Sequence, residues 1–148
     1  MRREFERAAL PASLQAIRNF IEDSCRQAGV EKAAAHGLVL AVDEACANIV
    51  EHGYAGRKPG PIGISFDAEA GRIVVAITDR GRAFDPKDAP VPDLHSGWRE
   101  RRVGGLGWHL VRQFVDEIHY DTDARNGNKL TLAKAIGRAR SERNGNPD

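Results

Sequence analysis

Cysteine is nearly missing from this chain, with only Cys25 and Cys46 among 148 residues. Each sits among apolar residues at helical spacing without His or Cys neighbours, which excludes a disulfide framework or a local zinc site and suits buried, reduced thiols. Net charge is missing too, since 22 Lys and Arg against 21 Asp and Glu leave +1. No global field then draws in nucleic acid or an anionic membrane, and any partner is read locally. No run approaches the roughly 18 uninterrupted apolar residues of a membrane span, and the opening MRREFERAAL has no apolar leader core. The expectation is a cytoplasmic protein without a membrane segment. Internal repeats are absent as well, and the length fits one domain with a sizeable core.

What the chain does contain is a sequence of clear periods. Arg3 to Ala9 alternates like an edge strand, and Pro11 suits the start of a helix carried by Leu14, Ile17, Phe20 and Ile21 and ending near Gly29. A second helix runs from Glu31 to His52 and stops at Gly53. Beyond a Gly- and Pro-rich connection at 56–61, the period changes to two: Ile62, Ile64 and Phe66, a turn at 68–71, then a β-branched run from Ile73 to Thr78 read as a hairpin. Residues 79–104 have no period and form a long, charged segment of the kind that serves as a lid. Leu106, Leu110, Val111 and Phe114 restore helical spacing, and Glu117–Tyr120 with Leu130–Ala135 make a last strand pair around Asn126-Gly127. Helices on one face of a mainly antiparallel sheet give an α+β fold, a two-layer α/β sandwich. Residues 1–137 read as one domain with its lid at about 80–104, and 138–148 as a polar tail.

Three constellations carry chemistry. On the second helix Glu44, Asn48 and His52 follow at i, i+4 and i+8 beside the apolar stripe of Leu38, Val42, Ala45 and Ile49. A carboxylate and a carboxamide one turn apart can offer a base and a metal-coordinating oxygen to a ligand held there. Asp79 ends a buried strand and is followed by Gly81, so a carboxylate able to accept from an exocyclic amine lies where a flat ring can approach the backbone. Gly104, Gly105 and Gly107 clear side chains from a helix start, an arrangement that attracts phosphate. This is no Walker loop, because no Gly-Lys-Ser/Thr follows, and no dinucleotide fingerprint, because no strand precedes it. Singly, each is also what an ordinary amphipathic helix, strand exit or packed helix start contains. Their order and separation carry the weight.

Together the three resemble the N, G1 and G2 boxes of the Bergerat-fold (GHKL) nucleotide-binding family, over about Phe5 to Ile136. Within it the chain looks most like the small anti-sigma-factor serine kinases of the RsbW type, through Glu44-x-x-x-Asn48-x-x-x-His52, Gly105 to Val111 and Asp116 to Tyr120. The resemblance implies binding of ATP with Mg²⁺, phosphorylation of a serine or threonine on a STAS-type anti-sigma-factor antagonist, and inhibitory binding of a sigma factor. The family commonly forms homodimers. By position, Glu44 would be the general base and Asn48 would coordinate Mg²⁺. Asp79 would bind the adenine amine with Gly81 beside the ring. Gly105, Leu106 and Gly107 would form the turn that admits the phosphates, and Arg101 or Arg102, like Arg99, could reach them from the lid. Ala83 stands where a second glycine is often found and narrows the site, and Asn128 falls in the last box in place of the usual threonine.

Two other classes compete with a kinase. One is a non-catalytic module in which nucleotide only shapes a binding surface for a sigma factor or another regulator. The other is the catalytic part of a sensor histidine kinase, which fits less well because those domains usually carry Asn where this chain has Glu44. A base at Glu44 could also activate water, as in Bergerat-fold ATPases such as gyrase.

Overall fold

The computed structural model of the chain describes residues 1–83 and 105–136. Among them are five strands and three α-helices in the order β1 (Arg2–Ala8), α1 (Ser13–Gln27), α2 (Lys32–Asn48), β2 (Pro61–Glu69), β3 (Arg72–Asp79), α3 (Gly105–Phe114), β4 (Glu117–Asp123) and β5 (Gly127–Ala135). The strands form one sheet in the order β1-β2-β3-β5-β4, with every pair antiparallel. The expected sandwich is therefore present, with β1 and β4 at its edges. The lid segment falls largely outside the described residues, as do Arg99, Arg101, Arg102 and the tail.

Alternation decides which sheet face is covered. Ile62, Ile64 and Phe66 of β2, Ile73, Val75 and Ile77 of β3, and Leu130 and Leu132 of β5 all point inward and are buried. Over them lie Ile17, Phe20 and Ile21 of α1, Leu38, Ala41, Val42, Ala45 and Cys46 of α2, and Trp108, Val111 and Val115 in and just after α3. At about 25 cal/mol per Å² of apolar surface, burying each large side chain stabilises by roughly 1.5–3 kcal/mol, and this layer is the main source of cohesion. Both cysteines are in it as free thiols, and burial pushes the Cys25 thiol up to about 11 and that of Cys46 higher still.

Local chemistry sets the boundaries. Gly29, at φ 72°, ends α1 in a Schellman motif, with Val30 N donating to Cys25 O and Gly29 N to Arg26 O. Ala70 and Gly71, both at positive φ, join β2 to β3 as a tight hairpin turn. Asp123 Oδ1 accepts from the amides of Arg125 and Asn126, so the last hairpin closes sooner than the sequence suggested and both strands lengthen. A Cβ on Gly37 would overlap the Phe114 ring, which is how α3 comes close to α2. By length and composition Lys32–Gly53 is apolar enough to cross a membrane, with mean hydropathy 1.3. The sequence reading sought an unbroken apolar run and passed over this segment, which here lies across the sheet with Leu38, Val42 and Cys46 buried beneath it.

Candidate nucleotide site

The site begins where α2 changes its winding. After Asn48 the chain makes one π turn, Ile49–Gly53, in place of another α turn. This ends the helix against the exit of β3. Gly53 O accepts from Arg82 N at 2.6 Å, and a Cβ on Gly81 would overlap the Gly53 backbone. Glycine at 81 is thus required by contact between two backbones, and Gly81 is not among the residues that line the cavity. Tyr54 closes the same corner: its hydroxyl donates to Pro61 O at 2.9 Å and accepts from Arg80 N at 2.8 Å. The helix carrying Glu44 and Asn48 is thereby bound to the strand carrying Asp79.

Between these elements lies a narrow cavity. Ala45, Ile49, Trp108, Tyr120 and Leu130 give it apolar walls, and Asn48, Asp79 and Arg82 contribute its polar groups. Apolar walls with a few convergent polar groups are the kind of lining a heterocycle takes, and at about 30 Å³ the cavity has to open to admit one. Asp79 is 8 % exposed, and its Oδ1 accepts from Gly81 N at 2.8 Å and from Asn128 Nδ2 at 3.0 Å. Both of these bonds use one oxygen, which leaves Oδ2 for a ligand's donor. Asn128 is not on the wall; it stands behind Asp79, donating as well to Gly81 O at 2.9 Å.

One turn before Asn48 on α2, Glu44 lies against the start of α3. A Cβ on Gly107 would overlap the Glu44 carboxylate, so the glycine is what lets the acid and the helix's first turn meet. Burial, then the charges of Asp43 and Glu51, raise the Glu44 pKa above the ordinary carboxylate value. Asp43 itself pairs with Arg18 of α1 at 2.6 Å. Asn48 Nδ2 is buried with no hydrogen-bond partner among the described residues. An unpartnered amide N–H group on the wall can donate to a ligand's acceptor such as a phosphate oxygen, while the Oδ1 of the same carboxamide is the atom that could meet a hard cation such as Mg²⁺. No group of three or more His, Cys, Asp or Glu gathers as a metal cage among the described residues.

The structure puts Asn48 and Asp79 on the wall of one cavity, while Glu44 meets Gly107 one helical turn from Asn48, outside the cavity lining, with Gly105 at the start of the same helix. Leu106 shares that turn. Ala83 is exposed at the start of the lid, and His52 is 63 % exposed beside Glu51, away from the cavity. Sequence reasoning passed over Tyr54, Arg82 and Thr122, and took Ile49 only as part of the apolar stripe. Only Thr122 had a local signal, its even spacing from Ile118 and Tyr120.

Residues 7–134 match the family described as the histidine kinase-like ATPase domain. The chain belongs to that family. ATP is accordingly its ligand class. It is 28 % identical over 142 residues to the serine-protein kinase RsbW of Bacillus licheniformis, covering 93 % of this chain and 87 % of that one. It is 34 % identical over 96 residues to the serine/threonine-protein kinase BtrW of Bordetella bronchiseptica, covering 64 % and 66 %. The anti-sigma F factor of Clostridium beijerinckii is 28 % identical over 94 residues, with coverage of 64 % and 66 %. The structure of the RsbU and RsbW domains of a Mycobacterium tuberculosis protein shares the fold, with a TM-score of 0.66 at 20 % identity. That match covers 92 % of this chain and 32 % of the longer one.

Proposed function

We propose that this chain is an ATP-dependent protein serine/threonine kinase that also acts as an anti-sigma factor. It phosphorylates a STAS-type antagonist and sequesters a sigma factor in a partner switch. The observation that carries this reading is Glu44, a carboxylate of raised pKa held against the glycine-opened start of α3 and one turn from Asn48. A raised pKa makes a carboxylate a better proton acceptor, and a pure binding site has no need of a base there.

In this reading Asp79 takes the adenine amine, and the apolar walls hold the ring. The first turn of α3 faces the phosphates with its unpaired N–H groups. Asn48 would hold Mg²⁺ together with the phosphates, and the ion supplies charge neutralisation during transfer. Glu44 accepts the proton of the incoming serine or threonine hydroxyl. The protein works in the cytoplasm, where its partners are found. It pairs as a homodimer through the open edge of β1, which has β2 on only one side and carries Arg2, Glu4 and Glu6 on its outward face. Light scattering after size exclusion tests this, and a monomer across the micromolar range would remove the dimer.

The kinase reading is tested by incubating the chain with γ-labelled ATP, Mg²⁺ and a STAS-type antagonist. Acid-stable label on a serine or threonine of the antagonist is expected. Acid-labile label on the chain itself would favour the histidine-kinase class, and nucleotide binding without any transfer would favour the non-catalytic module.

A further inference from the structure

One row of residues crosses four strands on the covered face of the sheet: Ile62, Asp79, Asn128 and Thr122, each directly opposite the next. The last three form a directed hydrogen-bond chain. Thr122 Oγ1 donates to Asn128 Oδ1 at 2.6 Å, and Asn128 Nδ2 donates to Asp79 Oδ1 at 3.0 Å and to Gly81 O at 2.9 Å. The partners themselves fix the amide's orientation, because two acceptors face one end and a hydroxyl donor faces the other. Asn128 is 3 % exposed, and neither it nor Thr122 lines the cavity.

We infer that Thr122 and Asn128 are positioning residues that determine which purine the site accepts. This deepens the nucleotide reading of the same cavity and rests on it. With both amide protons committed, one to its Oδ1 and one to Gly81 O, the Asp79 carboxyl is held in one orientation, with Oδ2 left to meet the ligand as an acceptor. An acceptor there matches the 6-amino group of adenine and opposes the 6-oxo group of inosine or guanine, where two oxygens would face each other. Thr122 is itself exposed, so removing its hydroxyl leaves Asn128 Oδ1 only water as a donor in place of a fixed one, and the amide loses the orientation that holds Asp79.

The test compares dissociation constants for ATP and inosine triphosphate in the full chain, for the natural sequence and for Thr122→Val, Thr122→Ser and Asn128→Leu. The natural chain should prefer ATP at least about tenfold, as expected when the wrong base strands a buried acceptor. Thr122→Val should lower that preference about three- to tenfold through weaker ATP binding, with Thr122→Ser restoring it and Asn128→Leu losing more. A merely structural role would weaken both nucleotides equally. An unchanged preference in Thr122→Val, or equal weakening of both ligands, would overturn the positioning role while leaving the nucleotide site intact. A natural chain that binds neither nucleotide would instead overturn the nucleotide reading itself, and this inference with it.

Discussion

On the sheet side of the site Thr122, Asn128 and Asp79 are already joined by hydrogen bonds, whereas on the helix side Glu44 and Asn48 Nδ2 have no such partner among the described residues. The end that the proposal assigns to the base is finished in the fold itself. The end that would meet phosphate and metal keeps polar groups in reserve, one of them a carboxylate whose ionisation burial opposes. An unsatisfied buried amide costs about 1–3 kcal/mol, a cost that ligand binding can remove. The contrast separates recognition, which is prebuilt, from chemistry, which the ligand completes.

The largest break in this contrast should come from Glu44→Gln. Phosphoryl transfer is expected to fall roughly 10²- to 10⁴-fold, the usual worth of a general base, with ATP affinity little changed. A variant that transfers at the natural rate would remove the proposed base. The same substitution should raise stability at neutral pH. The folded chain holds the Glu44 proton more tightly than the unfolded chain does, so stability falls as pH rises from the ordinary carboxylate range through the raised value, and a cost remains above it. Discounting for partial exposure, the gain should be roughly 1–3 °C in Tm at pH 7, and it should vanish below about pH 4.

Gly107→Ala sharpens the comparison from the other side. Its methyl would enter the space of the Glu44 carboxylate and push the flexible acid aside. Transfer should drop about tenfold to hundredfold, because small misplacements are costly, while the helix gains up to about 1 kcal/mol from replacing glycine. Loss of activity together with equal or higher Tm is the expected pair, and full activity would show that Glu44 does not need this contact.

At the sheet end, Asp79→Asn should weaken ATP roughly tenfold to hundredfold, the worth of a buried hydrogen bond to a charged group. Unchanged affinity measured by calorimetry would remove Asp79 from base recognition. The smallest effect is on the pH profile. Transfer by the natural chain should rise with pH through a range lying above the ordinary carboxylate value of about 4.3, and a plateau already reached at pH 4.5 would contradict the raised pKa.

The legible parts of the site were those with a local reason. Glu44 and Asn48 stand out because i, i+4 spacing is visible along any helix, and Asp79-x-Gly81 because an acid and a glycine end a β-branched run. A second demand on Gly81 was not legible, since contact between its backbone and that of Gly53 depends on where α2 ends. The π turn hid that end: regular spacing carries the helix on to His52, but the change of winding leaves His52 exposed and brings Gly53 to the strand. Asn128 and Thr122 were obscured for a related reason. Their roles follow from strand register across β3, β5 and β4, which joins residues 49 positions apart and has no local signature.

The most direct test of a prebuilt base end and a ligand-completed phosphate end is thermal unfolding with ATP, with and without Mg²⁺, in the natural chain and in Asn48→Ala. Ligand at a hundred times its dissociation constant stabilises by about 2.7 kcal/mol, or roughly 5–10 °C for a domain of this size. The account predicts a shift with ATP that Mg²⁺ enlarges in the natural chain, and in Asn48→Ala a smaller shift that Mg²⁺ leaves unchanged. A Mg²⁺-dependent gain of equal size in both proteins would contradict it.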